Sequence, residues 1–212
     1  MTQILLIRHG ESTWNLTGRY QGRIDTELSE RGQEQASHLA ACLKGAPIRA
    51  IYASPLRRAF HTALAIALEH GLDVAVEPDL TEIDHGAWNG LLRQEVEKRY
   101  GPMLQQWLDA PADVTMPGGE GLNDVRERSW AVIAKVAQLH PEGLVAVCSH
   151  DAVIKTLIAT ALGMDLNRFW SLRLDNASTS LIEMGERPVR LVYFNDTCHL
   201  GKLRSDVSEQ AL

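Results

Sequence analysis

Two apolar runs in this 212-residue chain end on a histidine. Leu5-Leu6-Ile7 leads into Arg8-His9-Gly10, and Val145-Ala146-Val147-Cys148 leads into Ser149-His150-Asp151. A third run, Ala50-Ile51-Tyr52-Ala53, leads into Ser54-Pro55-Leu56-Arg57-Arg58. A neutral imidazole is a competent nucleophile, and arginine forks match phosphate oxygens two at a time. Two imidazoles among guanidiniums would therefore suit phosphoryl transfer. They suit a metal badly, because the cations repel the ion, and no H-E-x-x-H or close Cys/His spacing is present. A single histidine ending a strand is most simply a surface residue. The joint pattern is not explained that way.

Such residues can act together only if the elements carrying them do. Strands are predicted over 3–9, 50–54, 73–80 and 144–150, with a hairpin over 178–195 turning near Gly185-Glu186-Arg187-Pro188. Ser29 is the predicted N-cap of a helix reaching Leu43, and Pro55 is expected in the first turn of a helix reaching His70. A helix is predicted over 152–162, and helical patterns run near 90–109 and 121–140. Alternating strands and helices imply an α/β fold. The expected form is a three-layer α/β/α sandwich whose mostly parallel sheet carries one antiparallel edge strand. In such folds ligands bind beyond the carboxyl ends of the strands, where Arg8-His9 and His150 fall. Residues 1–201 read as a single domain with a small helical cap-like insertion around 90–120. Residues 202–212 read as a polar tail, a candidate for disorder.

Composition narrows the partners. Hydrophobic residues make up 45% of the chain, enough for a sizeable core, and the net charge is −6. That balance argues against nucleic acid or an anionic membrane, yet allows a local cationic pocket. Cys42, Cys148 and Cys198 form an odd set without C-x-x-C spacing, which fits reduced thiols and a cytoplasmic setting. No charged stretch leads into an apolar one as in a signal peptide, and no run approaches ~18 apolar residues.

Longer stretches carry a resemblance. "LLIRHGESTWN" (5–15), "GRYQGRIDTELSERGQEQA" (18–36), "IYASPLRRAFHTA" (51–63), "LTEIDHGAWNG" (80–90), "PGGE" (117–120) and "VAVCSHDAVIK" (145–155) follow one another along nearly the whole chain. In this order they resemble branch 1 of the histidine phosphatase superfamily, which includes the cofactor-dependent phosphoglycerate mutases. The resemblance implies that His9 is the nucleophile that becomes phosphohistidine. It implies that Arg8, Arg58 and His150 hold the phosphoryl oxygens, and that Asn15, Gln21 and Gly22 line the same pocket. Glu82 matches the proton donor to the leaving oxygen. Gly10 is expected to let the backbone approach the phosphate closely. No metal and no cofactor is implied.

Neighbouring residues need separate weighing. Arg57 and Arg58 diverge by about 100° on a helix, and the S-x-L-x-R-A spacing of the family that the chain resembles selects Arg58, so Arg57 reads as a solvated charge. Thr62 reads as helix packing, His61 as exposed and Glu11 as a structural hydrogen-bonding group. Asp151 is expected to cap the helix that follows, although a distant branch uses an aspartate there as its proton donor. Ile83 and His85 depart from the mutases, which place arginine and tyrosine after the glutamate. Arg93, Lys98 and Arg99 read as helix-surface charges, so no holder for a second anionic group is expected. Trp88, Trp107 and Met116 hint at an apolar wall. The expected activity is metal-independent hydrolysis of a small-molecule phosphate ester through a phosphohistidine. Relatives of this size include broad-specificity and α-ribazole-phosphate phosphatases. A phosphoglycerate mutase is the alternative, and a catalytically silent phosphate-binding module is the second. A homodimer is left open.

Overall fold

The structure is a computed structural model that describes residues 1–185, 188–207 and 210. Six strands form one sheet in the order β3-β2-β4-β1-β5-β6. They are β1 (Thr2–Arg8), β2 (Ile48–Ala53), β3 (Val74–Val76), β4 (Gly143–Ser149), β5 (Thr179–Met184) and β6 (Arg190–Asp196). The first four run parallel, and β5 is reversed against β1. The reversed strand lies one in from the edge, because β6 folds back outside it. Within the turn of this hairpin, Glu186 and Arg187 lie outside the described residues.

Alternating side chains give the sheet two apolar faces. Ile4, Leu6, Val145 and Val147 pack in one cluster, and Leu5, Ile7, Ala146 and Cys148 in the other. Helices α1 (Glu30–Leu43) and α2 (Arg57–His70) cover the second face through Leu39, Ala63 and Ile66. Helices α3 (Arg93–Asp109), α4 (Leu122–Leu139) and α5 (Asp151–Ala161) cover the first through Trp107, Ile133, Ile154 and Leu157. Each fully buried leucine or isoleucine contributes about 1.5–3 kcal/mol, so both layers anchor the strand ends between them. Among the described residues no helix is long and apolar enough to cross a membrane.

Several boundaries depart from expectation. The strand predicted over 73–80 stops at Val76, because Pro78 lacks an N–H and opens a short 3₁₀ turn, Pro78–Leu80. Helix α2 begins at Arg57, not Pro55. Leu56 is extended, and its N–H donates to Ser54 Oγ at 3.3 Å, which holds the chain in a turn before the helix. Trp88, Trp107 and Met116 are core residues rather than a substrate wall, each no more than 1% exposed. The tail folds back on the domain: Gly201–Leu203 forms a 3₁₀ turn, Gln35 donates to the Leu203 carbonyl, and Ser205 is buried.

Candidate active site

Register brings the chemistry together. In the β1–β4 ladder Arg8 lies opposite Ser149, and one residue further the His9 N–H donates to the Ser149 carbonyl at 3.0 Å. Ser54, just past β2, donates its N–H to the Cys148 carbonyl at 3.0 Å. The ends of β1, β4 and β2 therefore present His9, His150 and Ser54 side by side. The His9 and His150 ring centroids are 5.1 Å apart.

The tautomer of His9 follows from its surroundings. Nδ1 lies 2.6 Å from the Gly10 carbonyl and must donate to it, which leaves the Nε2 lone pair free. Burial, then the charges of Arg58 and Arg8, hold this imidazole well below the ordinary histidine range, so it is neutral near pH 7. His150 is held down in the same way by burial first and Arg58 next. Its Nε2 is 2.7 Å from Ser54 Oγ, and its Nδ1 is buried without a partner among the described residues.

Arg58 sits in the first turn of α2, 1% exposed. It donates through Nη1 to the Ile24 carbonyl at 2.8 Å and through Nη2 to the Gly22 carbonyl at 2.9 Å. Burial lowers its pKa to about 10, which leaves it cationic at neutral pH. Gly22 adopts φ 48°, a left-handed conformation that favours glycine, and so turns its carbonyl toward Arg58. Arg8 donates to the Leu174 carbonyl at 2.5 Å and to Gln210 Oε1 at 2.6 Å. The Nε atoms of both arginines, like His150 Nδ1, are buried without a partner among the described residues. Unpaired buried donors are costly, and an anion placed among them would satisfy them.

Glu82 follows the 3₁₀ turn after β3 and is buried. Its Oε1 accepts from the Ile83 N–H at 2.9 Å and its Oε2 from the Ala152 N–H at 3.5 Å. Burial first, then the Asp151 carboxylate, raise its pKa above the ordinary carboxylate range. One narrow pocket is lined by Arg8, His9, Asn15, Gln21, Gly22, Arg58, Glu82 and His85. The predicted residues thus converge, with the His150 ring 5.1 Å from that of His9. Asn15 Oδ1 accepts from the Ser12 N–H at 2.9 Å, and Gln21 Oε1 accepts from Ser12 and Thr26, so the Gln21 amide nitrogen is left for a ligand.

Other readings are corrected. Gly10 lacks a side chain because a Cβ there would meet the Gly32 carbonyl of α1; the close approach is to that helix. Asp151 opens α5 and makes no cap bond. Its carboxylate lies buried, 3.2 Å from Arg8 Nη1 and 2.7 Å from Lys155 Nζ. Beside the pocket, Lys155 and Arg93, the latter exposed on α3 as read, line a chamber that shares Arg8 with it. His85 faces the pocket as a neutral ring, its pKa lowered to about 4 by burial. Two residues had no legible signal. Lys155 lies inside an apolar helix pattern, and Arg128 on α4 is remote in sequence, yet its guanidinium holds the carbonyls of Asp79, Thr81 and Glu82. Arg57, Glu11 and Thr62 behave as read: Arg57 pairs at the surface with Asp25, Glu11 accepts from Ser29 and Ser205, and Thr62 donates to the Arg58 carbonyl.

A strand-end histidine pair ringed by buried arginines, on this sheet order, defines a class. The chain belongs to the histidine phosphatase superfamily (branch 1), whose family model matches residues 4–197. It is 43% identical over 202 residues to phosphoserine phosphatase 1 of Hydrogenobacter thermophilus, covering 95% of this chain and 96% of that one. It is 32% identical over 197 residues to the adenosylcobalamin/α-ribazole phosphatase of Escherichia coli, covering 91% and 95%. Among solved structures, YhfR of Bacillus stearothermophilus superposes with a TM-score of 0.91 at 28% identity, covering 94% of this chain and all of that one. The chain is an enzyme of the histidine phosphatase class, acting on phosphate esters.

Proposed function

We propose that the protein is a phosphomonoesterase that works in two steps through His9. In the first, His9 Nε2 attacks phosphorus in line; the N–P bond forms as the ester P–O bond breaks. Arg8, Arg58 and the Nδ1–H of His150 hold the phosphoryl oxygens as charge spreads over them. Glu82, whose burial favours the protonated form, gives its proton to the leaving oxygen. In the second step the resulting carboxylate takes a proton from water, whose oxygen bonds to phosphorus while the P–N bond breaks. Asn15 and the Gln21 amide complete the pocket. The observation that carries this reading is the set of unpartnered buried donors on Arg8, Arg58 and His150: the two arginines line one pocket with His9, and the His150 ring lies 5.1 Å from that of His9.

Hydrolysis is favoured over isomerisation by the segment after Glu82. Ile83 is fully buried in the core and His85 is neutral, so that segment offers no cation to retain a bisphosphate. The relatives named as phosphatases support the same reading, and the 43% identical one makes phosphoserine the first substrate to try. A cytoplasmic setting suits the three free cysteines, and the acidic charge balance speaks against nucleic acid or an anionic membrane as partner. The test is release of phosphate from p-nitrophenyl phosphate with EDTA present, set against conversion of 3- to 2-phosphoglycerate with 2,3-bisphosphoglycerate added. Wild type should release phosphate and isomerise little, and His9→Ala should do neither and trap no acid-labile phosphoenzyme. Isomerisation a hundredfold faster than hydrolysis would make the mutase reading correct.

A further inference from the structure

Beside the phosphate pocket lies a second chamber of about 310 Å³, reached past Arg8, which lines both. Its floor carries a buried ammonium. Lys155, on the second turn of α5, is 4% exposed. Its Nζ lies 2.7 Å from Asp151 and over the rings of Phe169 and Trp170, at 4.9 and 5.4 Å from their centroids. An ammonium has three N–H groups, and aromatic faces satisfy charge without accepting a conventional hydrogen bond. Among the described residues Asp151 is the one carboxylate that pairs with Lys155, and Arg8 draws on the same carboxylate from 3.2 Å. Two buried cations thus share a single buried anion.

The rim adds to the excess. Arg93 and Arg173 both line the chamber. Arg173 is paired with Asp175 at 3.0 Å, whereas Arg93 has no ion-pair partner among the described residues. Among the described lining residues cations therefore outnumber anions, four (Arg8, Arg93, Lys155, Arg173) to one (Asp151), although the chain as a whole carries −6. Arg8 is committed to the phosphoryl group, so what remains is the charge of Lys155, half-balanced by Asp151, and that of Arg93 at the mouth. A dianion would be repelled by Asp151 at the chamber floor. A monoanion with two flat acceptor oxygens fits both the charge and the donors.

We propose that this chamber is a subsite for a carboxylate on the leaving group, anchored by Lys155 with Arg93 at its mouth. The preferred substrates are then short phosphorylated carboxylic acids. The shared Asp151 holds Lys155 close to Arg8, so carboxylate and phosphoryl group are a few bonds apart in such a substrate. This rests on the phosphomonoesterase reading above and deepens it.

The test compares O-phosphoserine with O-phosphoethanolamine, which differ by the carboxylate alone, and includes p-nitrophenyl phosphate as a control without either group. Wild type should favour phosphoserine at least tenfold in kcat/KM. Arg93→Gln, a change at an exposed helix position, should cut that ratio several-fold, and Lys155→Met should bring it near unity. A merely structural role for either residue would lower both rates and leave the ratio where it was, which would overturn the proposal. So would a wild-type ratio within twofold of unity. If p-nitrophenyl phosphate is still hydrolysed in that case, the subsite is wrong and the phosphomonoesterase reading stands. Failure to hydrolyse all three esters would overturn both.

Discussion

At Glu82 opposing influences meet within one side chain. Burial and the nearby Asp151 charge favour the protonated acid, while the Ile83 N–H and the charges of Arg58 and Arg8 favour the carboxylate. The net effect raises its pKa, the direction a proton donor needs. His9 is set the other way, because it must be neutral to attack. Activity therefore falls on the acid side as His9 gains a proton and on the alkaline side as Glu82 loses one. Glu82→Gln should remove the alkaline limb and slow alkyl phosphates by about 10²–10⁴-fold, the usual range for a general acid. Aryl phosphates, whose leaving groups need little protonation, should lose far less. Asp151→Asn should behave differently: it leaves Arg8 and Lys155 without their shared anion and should cost about 3–5 kcal/mol in denaturant unfolding. If Asp151→Asn shows the leaving-group effect and Glu82→Gln does not, the proton donor is Asp151.

Among the elements, the strand ends were legible because a buried run ending on Arg-His violates the usual rule for strands, and the violation marks a site. Their adjacency comes from the strand order, in which β4 lies between β1 and β2. The support of Glu82 was not legible, because it comes from the far side of the chain. Arg128 on α4 spreads one guanidinium over the carbonyls of Asp79 and Thr81 at 2.7 Å and Glu82 at 3.2 Å, and its Nε lies 2.9 Å from Glu120. Glu120 in turn accepts from the Asp84 N–H at 3.0 Å. Nothing in sequence spacing ties residue 128 to residue 82. Lys155 was hidden for a different reason: it lies in a helix whose other residues are nearly all apolar and buried, so its own burial shows only when Phe169 and Trp170 fold over it. Arg128→Ala should lower kcat on alkyl phosphates more than it raises KM, because Glu82 would lose its fixed height. Arg128→Lys should recover part of the loss, since an ammonium cannot span the fork's acceptors. Equal losses on aryl and alkyl esters would mean that Arg128 serves the fold and not the acid.

For the molecule as a whole, a cationic site inside an acidic protein ties stability to pH. His9, His85 and His150 are buried and held below the ordinary histidine value of 6.5, His85 at about 4. Unfolded, all three would titrate near 6.5. Below that value the unfolded chain binds protons that the folded chain refuses, so this stability is present above about pH 6.5 and is lost as pH falls toward the folded values. Glu82 opposes them. Its folded pKa is raised, so it favours the folded state at low pH and gives up that contribution as pH rises through the folded value. One carboxyl stands against these three imidazoles and the half-buried His199, also held below 6.5 by burial, so the net sign is loss of stability on acidification. Each unit of pKa difference is worth about 1.4 kcal/mol, which puts the loss from His85 alone at a few kcal/mol once the pH is well below 6.5. The thermal midpoint should therefore fall steadily between pH 7 and pH 5. His85→Asn, which removes one of the three groups, should flatten that slope whatever it does to the midpoint at pH 7. A midpoint that is flat or rises toward pH 5 would mean that the imidazoles take up protons in the folded protein, and His9 could not then be the free base that attack on phosphorus requires.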